Sequence, residues 1–166
     1  GIIEPEELTA EAMVSTFNCG YNVSCHDISD GFIDLIVLGG CPPYTYEWSA
    51  DLDEDGINDF SSSDSSLTNL SGSEEGDVYS VTIVDQNDCS VFIDELVITK
   101  PKELEVVETI TNITCAGFPN GAIELDVDNG CPPYTYEWSA DLDGDGLDDF
   151  SSSDSDLEEI GPGTYN

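Results

Sequence analysis

The chain contains a near-copy of itself. Residues 41–65 (CPPYTYEWSADLDEDGINDFSSSDS) and 131–155 (CPPYTYEWSADLDGDGLDDFSSSDS) agree at 22 of 25 positions, 90 residues apart. Whatever the first stretch folds into, the second must fold into as well, so the chain is built from tandem units rather than around one site. A period near 90 exceeds the roughly 20–50 residues of a solenoid repeat, so each unit should own a small core. Outward from the copies, Cys25 aligns with Cys115, Gly31 with Gly121 and Trp48 with Trp138 at the same spacing. Upstream, IIEPEEL (2–8) aligns with ITKPKEL (98–104) at a spacing of 96, so the first copy holds six extra residues in a stretch that includes Cys19. Downstream, Tyr79 aligns with Tyr165 at a spacing of 86. The second copy has no counterpart of VTIVDQNDCSVFIDELVITK (81–100). This predicts a first unit over 1–100 and a second over 101–166 that stops before its last strands. Such a piece belongs to a longer array, or its neighbour supplies the missing strands.

The apolar pattern has a period of two. GAIELDVD sets Ile123, Leu125 and Val127 on one face and Glu124, Asp126 and Asp128 on the other. YTYEW alternates Tyr44, Tyr46 and Trp48 against Thr45 and Glu47, and YSVTIVD groups Tyr79, Val81 and Ile83. SVFIDELVIT is a further apolar run. Turn signals separate these runs: Gly39-Gly40, Pro42-Pro43, Gln86-Asn87-Asp88 and Pro119-Asn120-Gly121. No amphipathic helix is evident. The expected fold is all-β, as tandem immunoglobulin-like β-sandwich repeats of about seven strands each. Trp48 and Trp138 belong in the core, and Tyr79 and Tyr165 are placed as tyrosine corners.

Charge sets the second constraint. There are 37 acidic residues, two lysines and no arginine, a net charge of −35. Nucleic acid is excluded as a partner, because phosphate binding needs a basic face. An anionic membrane surface is disfavoured for the same reason, and no apolar run is long enough for membrane insertion. Self-repulsion on this scale opposes a compact state unless cations offset it.

Each copy carries a DxDxDG run where cations would act. In the first, Asp51, Asp53 and Asp55 stand at alternate positions, Gly56 allows a sharp turn, and Asp59 follows. The second repeats this with Asp141, Asp143, Asp145, Gly146 and Asp149. Calcium is a hard cation that takes 6–8 oxygens, and alternate acids in a tight loop converge on one point. The carbonyls of Ile57 and Leu147 are expected to face the ion while their side chains anchor in the core. Position 12 is Ser62 or Ser152, not the glutamate of an EF-hand, and no helix pattern flanks the loop. Asp64 and Asp154, two residues on, are candidates for the missing carboxylate. Zinc is disfavoured without His or Cys at ligand spacing.

Six cysteines and no CxxC point to disulfides and an oxidising compartment. A Cys25–Cys41 bridge is disfavoured, because the extended strand between them spans roughly 25 Å at about 3.3 Å per residue. Cys41–Cys89 is the preferred pair, with Cys19 also able to reach that end. Intermolecular pairing of the remainder stays open. His26, the single histidine, is read as a surface residue. No nucleophile–base–orienter set is present, so the chain is not expected to be an enzyme.

The succession C-x5-G-x-I-x-L-x-V, then CPPYTYxWS, then G-x-Y and VTIVDxNxC resembles the SprB-type repeat of large bacterial cell-surface adhesins. The DxDxDG insert and the Cys before Pro-Pro depart from the plain repeat. The resemblance implies an extracellular, cell-surface or secreted protein exported by the type IX system, with an adhesive or structural role. Its expected partners are adjacent repeats or identical subunits in an array. The alternative is a ligand-binding module, with surface glycans as its partners.

Overall fold

The computed structural model describes residues 4–53 and 55–166. Ile2 and Ile3 of the upstream alignment, and Glu54 of the first acidic loop, lie outside the described residues. The chain divides into two compact units, Gly1–Glu103 and Leu104–Asn166. The fold is all-β, and the one helical element among the described residues is a single 3-10 turn, Asn18–Gly20.

Among the described residues the first unit has seven strands: β1 Thr9–Val14, β2 Gly31–Leu38, β3 Thr45–Asp51, β4 Phe60–Ser62, β5 Ser66–Leu70, β6 Asp77–Val84 and β7 Ser90–Ile98. They form two antiparallel sheets, ordered β1-β2-β5 and β4-β3-β6-β7. The sandwich follows from the period-two pattern, since alternate side chains on a strand share a face. The alternating run in β6 sends Tyr79, Val81 and Ile83 inward, and β3 sends Trp48 and Ala50 to meet them. From the other sheet come Ile33, Leu67 and Leu70, with Ala10, Ala12, Val14, Leu35 and Val37 closing the rim. Each fully buried Ile or Val here contributes roughly 1.5–3 kcal/mol relative to exposure.

The central β3–β6 pairing runs without a break from Thr45↔Val84 to Asp51↔Val78. Phe60 meets Tyr79 edge-on, with ring centroids 5.4 Å apart. Burial, and behind it the Asp77 carboxylate, push the Tyr79 hydroxyl up to about 12.

The second unit has five strands: β8 Glu105–Thr111, β9 Gly121–Asp128, β10 Trp138–Ala140, β11 Phe150–Ser152 and β12 Leu157–Ile160. Its sheets are β12-β9-β8 and β10-β11. They repeat the first unit's registers: Trp138 faces Ser152 as Trp48 faces Ser62, and Leu157 faces Ile123 as Leu67 faces Ile33. Beside β10, Ser139 and Asn166 exchange both backbone hydrogen bonds, at 3.0 and 2.9 Å. Ser49 and Ser80 pair in the same place in the first unit. Tyr165 donates to the Gly161 carbonyl at 3.2 Å, the bond expected of a tyrosine corner, and stands edge-on to Phe150.

The cysteines depart from the preferred pairing. Cys41 and Cys89 are free thiols, as are Cys25 and Cys115, whereas Cys19 and Cys131 are disulfide-bonded. Cys41 and Cys89 do lie at one end of the sandwich, but a carboxylate joins them instead of a bridge. Asp85 accepts from the backbone N–H of Cys41 (2.8 Å), Asn87 (2.8 Å) and Cys89 (2.9 Å). These bonds, that of Cys41 first, hold its carboxyl below the usual range. His26 is half-buried rather than a plain surface residue, with Nδ1 3.2 Å from the Pro101 carbonyl.

Candidate metal centre

The acidic loops join β3 to β4 and β10 to β11. Their feet are fixed by backbone bonds across the hairpin: Asp59 N–H donates to Ala50 O at 3.0 Å, and Asp149 N–H to Ala140 O at 2.8 Å. Short acids then fold the chain on itself, because an Asp side chain readily takes a backbone N–H two or more residues on. Asp51 Oδ2 accepts from Gly56 N–H at 2.7 Å, Asp53 from Asp55 N–H at 3.2 Å, and Asp55 from Ile57 N–H at 2.8 Å. Asp59 reaches back to Leu52 N–H at 3.2 Å. Gly56 holds φ +87°, a left-handed conformation that glycine adopts without a Cβ penalty.

This winding brings three carboxylates together. One oxygen from each of Asp51, Asp53 and Asp55 lies within 4.8 Å of the others. Asp51 Oδ1 is buried and has no hydrogen-bond partner among the described residues. In the second loop the converging set is Asp141, Asp143 and Asp149. Asp145 stands outside it and accepts from Leu147 N–H at 2.8 Å, the same bond that Asp55 makes to Ile57 N–H. Both oxygens of Asp141 are occupied: Oδ1 accepts from Gly144 N–H at 2.7 Å and Oδ2 from Gly146 N–H at 2.8 Å. Those donors, Gly146 first, hold its carboxyl below the usual carboxylate range.

Two of the sequence expectations land elsewhere. The Ile57 and Leu147 side chains do not anchor in the core. They are 67% and 70% exposed, because the loop turns outward over its own backbone. Asp64 and Asp154 stand outside the three-carboxylate groups. Each accepts from the hydroxyl of the serine two residues before it, Ser62 at 2.8 Å and Ser152 at 2.7 Å. Their carbonyls take the indole N–H of Trp48 (2.8 Å) and Trp138 (2.9 Å). The residues that tie the core tryptophan to the foot of each loop are therefore Asp64 and Asp154. The repeated SSSDS run carried that signal, since Ser-x-Asp closes a local turn.

Fold and loops together define a class: a tandem all-β repeat with an acidic hairpin loop in each unit. The SprB repeat is the family that matches, over residues 21–52 and 107–142, one stretch in each unit. The two stretches together cover less than half of the chain, and they show a likeness to a repeat found in cell-surface proteins. The two matches end at equivalent residues, Leu52 and Leu142, so the rest of each acidic loop lies beyond them. No curated protein and no solved structure matches the chain. No helix among the described residues is long and apolar enough to cross a membrane.

Proposed function

We propose that this chain is a non-enzymatic segment of an extracellular stalk or filament, in which calcium bound at each acidic loop stiffens the repeat. One observation carries the calcium reading. Asp51 Oδ1 is buried and, among the described residues, without a hydrogen-bond partner, and Asp51, Asp53 and Asp55 each offer an oxygen to one cluster. A buried, unpaired carboxylate oxygen is unfavourable, and so is crowding three like charges. A cation among them relieves both. The donors are all oxygens, which suits a hard ion, and a flexible loop of carboxylates suits calcium better than the strict octahedron magnesium demands.

Asp51, Asp53 and Asp55 would hold the ion in the first loop, and Asp141, Asp143 and Asp149 in the second. The bound ion would lock the β3–β4 and β10–β11 hairpins, whose feet the core tryptophans already fix. Repeated along an array of such units, this gives a rod whose rigidity depends on calcium. An array also explains why the two copies are nearly identical, because a scaffold repeats where a specialised binding face does not.

Thermal melts at low salt test this reading. With calcium at about 100 times its Kd, each site adds about 2.7 kcal/mol, which raises the Tm by several degrees. Magnesium at the same concentration should do much less. Equal melting temperatures in calcium and in chelator would reduce the loops to solvated acidic decoration.

A further inference from the structure

Each acidic loop holds two large aliphatic residues out in water. Leu147 and Ile57 are the outermost, and Leu142 and Leu52, five residues before them, are 44% and 37% exposed. A single exposed leucine is ordinary on a protein surface, but a pair on one loop, repeated on a second, makes a patch. These residues are not loosely placed, because the acids that wind the loop hold their amides. Asp149 accepts from Leu142 N–H at 3.0 Å and Asp145 from Leu147 N–H at 2.8 Å. In the first loop Asp59 accepts from Leu52 N–H and Asp55 from Ile57 N–H. The bonds that shape the carboxylate cluster thus also fix the backbone of the aliphatic pair. Beside the pair, a Cβ built on Gly146 or Gly56 would meet nothing within 4 Å among the described residues, so the tip is open to a large partner. The two copies differ at the outermost position, yet Ile57 and Leu147 are both branched aliphatics.

Charge decides when a partner can approach. Residues 141–149 are five aspartates, two leucines and two glycines. With its full charge this tip repels any anionic partner, a second copy of the chain included. A divalent cation among Asp141, Asp143 and Asp149 removes most of the local charge and leaves the aliphatic pair as what the tip offers. The partner must then be apolar at the contact and free of uncompensated acids. Another tip in the same state meets both conditions, and two such tips meet about a two-fold axis with aliphatic against aliphatic. Every chain carries two of them. An extended anionic lipid surface fits less well, because most of the 37 acids lie outside the loops and keep their charge.

We propose that the tips of the acidic loops are calcium-gated self-association sites. A second copy of this chain docks tip to tip, through Leu142 and Leu147 or through Leu52 and Ile57. The proposal rests on the calcium reading of the loops. A few aliphatic side chains cover far less than the roughly 1,000 Å² of a stable interface, so one contact is transient. Two tips per chain make it hold, since a second contact between linked copies forms at high effective concentration. The product is a lateral network of copies rather than a closed dimer.

Sedimentation of the full chain, in calcium and in chelator, tests this alongside calorimetric titration with calcium. The chain should be monomeric in chelator. In calcium its average mass should climb past that of a dimer as protein concentration rises. Ile57→Ser together with Leu147→Ser removes aliphatic surface and no carboxylate. Its calcium affinity should be unchanged, while the concentration needed for association rises on the order of tenfold. No calcium binding in the calorimeter would remove the reading beneath the proposal, and the proposal with it. A chain that binds calcium and stays monomeric overturns the proposal alone, as does association that the double variant retains. Calcium-dependent pelleting with phosphatidylcholine–phosphatidylserine vesicles, in place of self-association, would give the tips to a lipid surface and also overturn it.

Discussion

The two repeats have nearly the same hairpin and very different surroundings. Trp48 and Trp138 are both buried, and each gives its indole N–H to the carbonyl of the aspartate sixteen residues on. The two hairpins also share their register, Trp138 facing Ser152 as Trp48 faces Ser62. Ile33 and Ile123 occupy equivalent places, yet the first is fully buried and the second half-exposed. Local sequence thus dictates the loop and its tryptophan, whereas burial of the opposite sheet depends on strands far along the chain.

The largest contrast should appear at those isoleucines. Ile33→Ala should cost about 2–5 kcal/mol, the usual range for a filled core position. Ile123→Ala should cost less than half as much, because less apolar surface is lost from contact. Hydrogen exchange resolved to β2 and β9 under mild urea would separate the two, and equal losses would break the comparison.

A second contrast lies at the turn after β2. Gly39 has φ +69°, and a Cβ there would stand 2.0 Å from the Glu7 carbonyl oxygen. Its counterpart Asn129 adopts φ 63° with a full side chain. Gly39→Asn should therefore destabilise the first unit by about 1–3 kcal/mol. Asn129→Gly should change stability by only a few tenths of a kcal/mol, or about 1 at most. The same urea series reads both.

The loops differ more finely. Each spans five acids from its first Asp to its ninth position, so charge count does not separate them. Among the described residues Asp51 Oδ1 is buried without a hydrogen-bond partner, whereas both oxygens of Asp141 accept from backbone N–H groups. Asp55→Asn should weaken the first site by about tenfold, while Asp145→Asn weakens the second by less, because Asp149 takes its place in the cluster. Calorimetric titration of each variant would show which step moves.

The smallest effect is on pH dependence. Asp85 has its carboxyl held low by three backbone donors, Cys41 first. A depressed folded pKa stabilises the protein above the unfolded value, near 3.9, and that contribution fades as pH falls through the folded value. On acidification below about pH 4, protection at the 85–89 turn should be lost, and Asp85→Asn should remove this pH dependence.

Much of this was legible in the sequence. Period-two runs located β3, β6, β7 and β9 to within a few residues, because alternation directly reports which side faces a core. Asp at positions 1, 3 and 5 matches the three acids that converge in the first loop, but only the first two of those that converge in the second. What escaped was set by partners distant in sequence or by small shifts in backbone. Asp149 rather than Asp145 joins the second cluster although Asp145 accepts from Leu147 N–H just as Asp55 accepts from Ile57 N–H, a choice that spacing does not encode. Cys41 and Cys89 were rightly brought to one end, but the Asp85 bonds that join them arise only once β6 is paired.

One consequence of the repeated hairpin concerns how such a chain finds its fold. β6 recognises β3 through a run of backbone pairs, and β10 with its flanks presents almost the same sequence. In the order of synthesis β3 and β6 emerge and pair before β10 exists, so the ambiguity never arises. A population refolding from denaturant has no such order. Its β6 strands can dock on the β10 of another molecule, and yield should fall with protein concentration as exchanged, entangled species accumulate.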